Sequence, residues 1–288
     1  MNEQPTDLTG RVAIVTGGGG GIGYGIGMAL ARAGADIVIA DIEPVRAAQA
    51  AGDVRGLGRD ALPVPTDVMD TDQVRAMVDA AHGYFGRLDI LVNNAGGVSA
   101  RPFLEQSERS WRRHMDINLV SMFAATAAAV PLMIAGERGG AIINVTSIEG
   151  FRAAPYFAVY GACKAAMVSF TKTMALELSE HGIRVNAIAP DHTVTPGAMG
   201  NRQGPVDETQ WRTRPAGEAE AMNRVIPLGS EGTIEQCGNA ALFLASSMSE
   251  YVTGATLHVD GGTWAASGWL RDEDGNWTLN QGLRFAPR

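Results

Sequence analysis

At 288 residues with a net charge of −8, the chain is long enough for one large α/β domain and too acidic to attract nucleic acid or an anionic membrane surface. Its 45% hydrophobic content supports a full core, while 36 glycines and only two lysines, Lys164 and Lys172, among 23 basic residues are unusual. Two cysteines exclude a disulfide framework, and five scattered histidines show no metal-ligand spacing, so no metal site is expected.

In chain order, the opening MNEQPTDLTG has no basic stretch followed by an apolar run, and no apolar run approaches the ~18 residues of a membrane span. With its cysteines reduced, the protein is expected to be cytoplasmic and to have no membrane partner. Residues 11–16 (RVAIVT) read as a buried strand, followed by a glycine run and a helix over 22–33. Further strands are predicted at 36–41 (DIVIAD), 61–66, 88–92, 141–146 (AIINVT), 183–189 and 255–259. Helices are predicted at 71–85, 111–135, 156–181 and 233–245. Apolar Val/Ile/Leu strands alternating with helices imply a single doubly wound α/β domain, with a mostly parallel seven-stranded sheet and helices on both faces. Its core spans 8–262. Residues 191–226 are long, aperiodic and rich in Pro, Gly and Arg, as in a substrate lid. The extension 263–288 reads as a hairpin, with Trp269–Leu270 and 277–279 flanking a turn at Gly275.

The run Thr16–Gly23 joins the first strand to the first helix. Side-chain-free residues at Gly17, Gly21 and Gly23 let backbone approach a pyrophosphate, and the helix N-terminus offers free N–H groups. Gly25 and Gly27 continue into the helix, where each costs about 1 kcal/mol relative to alanine. Close packing of that helix on the sheet is the expected offset. Asp41 ends the second strand, where a carboxylate accepts from the adenosine ribose hydroxyls and repels a 2′-phosphate. The glycine loop itself holds no Arg or Lys, so NAD is expected over NADP.

Tyr160 and Lys164 are four residues apart and share a helix face. A neighbouring ammonium and a positive nicotinamide ring favour phenolate, so the Tyr160 hydroxyl is expected to titrate below its usual value near 10. Together these residues resemble the short-chain dehydrogenase/reductase family. TGGGGGIG fits its TGxxxGxG pattern, Asn93-Asn94-Ala95-Gly96 follows the fourth strand, YGACK fits YxxxK, and Ser147 lies 13 residues before the tyrosine. RVNAIAP at 184–190 fits the strand before the family's substrate loop, and the likeness covers about 8–262.

The resemblance implies a Rossmann-type fold and a division of labour. Tyr160 resembles the general acid/base, Ser147 the residue that orients substrate, and Lys164 the group that binds the nicotinamide ribose. Asn118 resembles the residue that holds a water linking the lysine to solvent. Asp67 and Val68 resemble the adenine contacts; Asp67 alternatively caps the helix at 71–85. Asn94, Ala95 and Gly96 would border adenosine, Ile22 the pyrophosphate, and Pro190 and Thr195 the nicotinamide. After Pro190 the family usually has glycine; here Asp191 and His192 follow, either to contact a polar substrate group or to bond within the loop.

The function so implied is NAD(H)-dependent interconversion of a secondary alcohol and a ketone. Met199, Trp211, Met222, Val225 and Ile226 in the lid suggest a bulky cyclic or hydrophobic alcohol, steroid-like or terpenoid-like. Arg202, Arg212, Arg214 and Arg224 either reach a substrate carboxylate or pair with Glu208, Glu218 and Glu220. Alternatives are an enoyl-type C=C reductase, a subgroup that usually spaces its tyrosine and lysine differently, and a non-catalytic NAD sensor. A homo-oligomer, tetramer or dimer, is expected through the 111–135 and 156–181 helices. The tail, with Trp264, Trp269 and Trp277, is expected to pack across a subunit interface near a neighbour's lid.

Overall fold

The computed structural model describes residues 4–280 and 283–284. The first half runs β1 (Val12–Thr16), α1 (Gly21–Arg32), β2 (Asp36–Asp41), α2 (Pro44–Gly56), β3 (Ala61–Pro65), α3 (Thr71–Phe85) and β4 (Ile90–Asn93). It continues through α4 (Glu108–Met115), a π-helical turn (Asp116–Val120), α5 (Ser121–Ala135), β5 (Gly140–Val145), α6 (Ala158–Glu177) and β6 (Ile183–Pro190). Then come α7 (Ala216–Val225), α8 (Ile234–Ala245), β7 (Thr256–Val259), α9 (Thr263–Ala266) and three tail strands, β8 (Leu270–Arg271), β9 (Trp277–Asn280) and β10 (Leu283–Arg284).

The seven main strands lie in the order β3-β2-β1-β4-β5-β6-β7, with every neighbouring pair parallel. That arrangement requires cover on both faces, and the strands are apolar for this reason. One core layer joins Ile26 and Leu30 of α1, Ala47 and Val54 of α2, and Ala241 and Leu244 of α8 to the sheet. The opposite layer joins Val74 and Met77 of α3, Ala125 and Met133 of α5, and Ala175 of α6. The strand order reverses between β1 and β4, and the C-terminal strand ends there open into a crevice, where ligands bind in such sheets.

Several local features depart from the sequence reading. Helix α2 was not singled out. The expected helix at 111–135 starts earlier, and its register slips at the π turn, which places Asn118. Despite the expectation of no span, the continuous helix 108–135 is long and apolar enough to cross a membrane by composition alone. Its α5 face is instead packed in the core, with Ala125, Ala129 and Met133 buried. Asp70 caps α3, accepting from the N–H groups of Asp72 and Gln73, so Asp67 does not. The lid carries a helix of its own, α7. Close packing does explain Gly25, but against α8: a Cβ there would strike the Ile234 carbonyl, and one on Gly238 would lie 2.5 Å from the Gly25 carbonyl oxygen. Gly27 faces Ile37 and Ile39 of the sheet with ordinary room.

The tail forms the expected hairpin, β8 antiparallel to β9, with Gly275 at positive φ (82°) in the turn and Arg271 over the Trp277 ring at 4.3 Å. Strand β8 lies against α7 of the same chain, so the hairpin meets its own lid.

Candidate active site

The glycine loop is held from beneath. Thr16 Oγ1 accepts from the N–H groups of Asn94 and Ala95, and Asn94 Nδ2 donates to the carbonyls of Thr16 and Gly17 at 2.8 and 3.1 Å. The loop is too tight for side chains. Gly17 has φ 63°, and a Cβ there would lie 2.9 Å from Asn94 Nδ2; a Cβ on Gly23 would strike the Gly17 carbonyl. This cradle opens into a cleft of about 720 Å³ running along the strand ends. Gly17, Gly21, Ile22, Asp41, Asn94, Ala95, Gly96, Pro190 and Thr195 line it, while Gly23 is buried behind the loop.

At one end, Asp41 Oδ2 accepts from Gly19 N at 2.9 Å and Oδ1 from Glu43 N at 3.0 Å. Beside them sits Arg46, a residue missed in the sequence. Its buried guanidinium donates to the carbonyls of Gly204 and Asn201 in the lid. The signal was a lone arginine in the first turns of α2, five residues after Asp41. Asp67 and Val68 are not on the cleft wall: the Asp67 carboxylate accepts from Met69 N at 3.0 Å, and Val68 is buried in the α3 layer.

At the other end, Ser147 stands just past β5 and lines the cleft together with Tyr160, its Oγ accepting from Glu149 N at 3.2 Å. Tyr160 and Lys164 share the inner face of α6. The expected lowering of the phenol pKa includes the positive ring of a bound nicotinamide. In the protein alone, burial pushes the phenol above its usual value, the Ser147 side chain opposes this, and the Glu149 carboxylate adds to the rise. Lys164 does not offset it, because its Nζ lies 5.6 Å from the Tyr160 ring centroid and donates to the Val145 carbonyl at 2.9 Å. Burial also lowers the Lys164 pKa, to about 8. Asn118 lines the cleft, but its side chain is spent on backbone. Nδ2 donates to the Gly97 and His114 carbonyls and Oδ1 accepts from Gly97 N, so the side chain fixes the 96–97 loop. A π turn at a functional position is a recurrent device for such placement.

The two departures from the motif pattern bond within the protein. Asp191 is not among the positive-φ residues, so the glycine usual there is not needed for the backbone path. Its carboxylate accepts from Thr263 Oγ1 at 2.6 Å, with Arg152 Nη2 at 3.4 Å and His192 Nε2 at 3.6 Å. Arg152 in turn pairs with Glu149 at 2.9 Å. Glu149, also missed in the sequence, lines the cleft two residues after Ser147. Of the five apolar lid residues, only Met222 reaches the cleft wall, with Phe157 nearby. Ile226 is buried, Val225 is turned outward, and Arg214 Nη2 lies 3.6 Å from Met199 Sδ. Arg212 and Arg214 line the cleft but pair with Glu218 and Glu231.

A family model described as Enoyl-(Acyl carrier protein) reductase matches residues 17–263. Galactitol 2-dehydrogenase of Agrobacterium fabrum is 38% identical over 89% of this chain and 98% of its own. Carveol dehydrogenase from Mycobacterium avium, solved in complex with NAD, superposes with a TM-score of 0.82 at 31% identity, covering 90% of this chain and 99% of that one. Gluconate 5-dehydrogenase from Burkholderia cenocepacia, solved with NADP and tartrate, gives a TM-score of 0.81 at 35% identity over 92% of this chain and 100% of that one.

Proposed function

The chain belongs to the short-chain dehydrogenase/reductase family of nicotinamide-dependent oxidoreductases, and from that premise we propose that it interconverts a secondary alcohol and a ketone with NAD(H). The observation that carries this reading is the convergence of Ser147, Tyr160 and Lys164 on one cleft, with Lys164 one turn along α6 from the tyrosine.

The residues fit a dinucleotide: the cradle at Gly17 and Gly23 excludes any Cβ, and its loop feeds the N-terminus of α1. Bound there, oxidised nicotinamide supplies the hydride acceptor and a positive charge near the phenol. Tyr160, ionised to phenolate, takes the alcohol proton onto its oxygen and becomes the neutral phenol, and Ser147 Oγ holds the same substrate oxygen in line. Lys164 would hold the nicotinamide ribose, and the positive ring held there would favour the phenolate that accepts the proton. NAD rather than NADP is supported by Asp41 at the end of β2, whose carboxylate on the cleft wall would repel a 2′-phosphate. Relatives solved with NAD and with NADP both exist, so the cofactor is the point to test.

For the substrate, the wall around Tyr160 combines Phe157 and Met222 with Glu149 and His192. That mixture supports a bulky cyclic alcohol bearing a further polar group over a purely hydrocarbon one. We place the subunit contacts of a homo-oligomer, tetramer or dimer, on the outer faces of α5 and α6, where Val120, Phe123 and Leu176 are exposed. The test is NADH absorbance over a panel of terpenoid, steroid and sugar alcohols, with NADP in parallel and an enoyl thioester as control. Turnover of an alcohol with kcat/KM on the order of 100-fold higher for NAD is expected, since juxtaposed like charges cost several kcal/mol. NAD binding with no turnover of any alcohol would overturn the reading.

A further inference from the structure

Both ends of the lid are fastened to one short turn, Asp260–Trp264, at the start of the extension. At the far end, Ile226, Pro227 and Leu228 lie on Gly261 and Gly262. Leu228 N donates to the Gly261 carbonyl at 3.0 Å, and a Cβ on Gly261 would lie 2.5 Å from Ile226 Cγ2. At the near end, Thr263 Oγ1 donates to the Asp191 carboxylate at 2.6 Å, and Asp191 N donates to the Val259 carbonyl. Both Thr263 and the Asp191 side chain are buried, at 6% and 7% exposure, so water competes poorly for this bond. The turn is itself anchored: Trp264 stacks on His258 with ring centroids 5.8 Å apart, and Phe151, four residues past Ser147, packs on both rings.

We propose that Thr263 is a positioning residue for the substrate end of the cleft, holding Asp191 and through it the base of the lid in register with Ser147 and Tyr160. A hydroxyl–carboxylate bond is short and strong, and a lid tied at both ends loses less freedom when substrate orders it. The glycine cradle lies on the far side of the sheet switch and shares no residue with this tie, and only Thr195 of the lid base packs beside it, so the loss falls more heavily on alcohol affinity than on cofactor affinity. Asp191 stands where glycine is usual, which makes the tie a property of this chain.

The proposal rests on the dehydrogenase reading for its kinetic arm only. Thr263→Val, Thr263→Ser and the unaltered protein are compared with NAD bound. Three quantities are read: trypsin cleavage of the Arg202–Gln203 and Arg212–Thr213 bonds in the lid, the NAD Kd, and kcat and KM for the alcohol. In Thr263→Val, lid cleavage and KM are expected to rise about 10-fold, the loss of one hydrogen bond to a charged group, with kcat and the NAD Kd within twofold. Thr263→Ser keeps the hydroxyl and restores both. Unchanged cleavage in Thr263→Val, or a Thr263→Ser variant as impaired as it, overturns the proposal. If no alcohol turns over, the dehydrogenase reading fails and lid cleavage alone decides this one.

Discussion

Lys164 carries a cost that the site accepts. Its ammonium is fully enclosed, and burial brings its pKa from 10.5 to about 8. Between pH 8 and 10.5 the unfolded chain therefore binds this proton and the folded chain does not, so stability from this group rises with pH in that window. Below pH 8 both states are protonated and the penalty is constant. From pH 8 to 9.5 the gain is about 2 kcal/mol. The Cys237 thiol, raised from 9.0 to about 11, acts in the opposite sense, because the unfolded chain loses that proton first. Lys164→Met leaves the thiols in place, so the pH slope of the urea midpoint, wild type minus variant, isolates the lysine; equal slopes would refute this account. At the neighbouring position, Tyr160→Phe removes the proton-transferring oxygen and nothing from the cradle. Turnover should fall at least 1,000-fold, on the order of lost acid–base catalysis, while NAD titration is unchanged. Tyr160, Lys164 and Ser147 were legible in the sequence because a four-residue helical spacing and a strand end fix their placement. Arg46 and Glu149 were not, because each reaches the cleft through tertiary packing: Arg46 by meeting a lid segment more than 150 residues away.

At the scale of elements, α1 contains two interior glycines with opposite reasons to exist. A methyl group on Gly27 meets only the side-chain ends of Ile39 and Ile37, at 3.6 and 3.9 Å. Gly27→Ala should raise stability by about 1 kcal/mol, the ordinary helix-propensity gain. Gly25 abuts the N-terminus of α8 at Ile234, so the same substitution must separate two helices and should lower the melting temperature. Thermal denaturation of the two variants side by side checks both signs. The repeating strands and long helices were visible as periodicity. The lid was not, since α7 is short and takes its cover from the tail hairpin, which no local pattern in 191–226 announces. The apolar residues there suggested a greasy pocket, yet a lid has two faces, and Ile226 is buried against the turn that follows β7.

At the scale of the molecule, the outer faces of α5 and α6 carry large apolar side chains among polar ones. Phe123 and Phe170 pack together at 4.8 Å, and Leu176 lies 77% exposed farther along. Side chains of this size left in water are what the proposed subunit contacts would cover. Light scattering on the purified protein should give a multiple of 30.3 kDa, and Phe123→Glu should return the single-chain mass, with NAD still bound by the monomer. A single-chain mass for the unaltered protein would remove the proposal of assembly.

The scarcity of lysine acquires a practical meaning once the two are located. Lys164 is enclosed beneath the cleft, and Lys172 is exposed on α6, two residues from Phe170. Among the described residues, an acylating reagent therefore meets one accessible side-chain amine, and that amine stands beside the surface through which copies of the chain would join. If copies join through that surface, acylation at Lys172 should slow as the protein concentration rises.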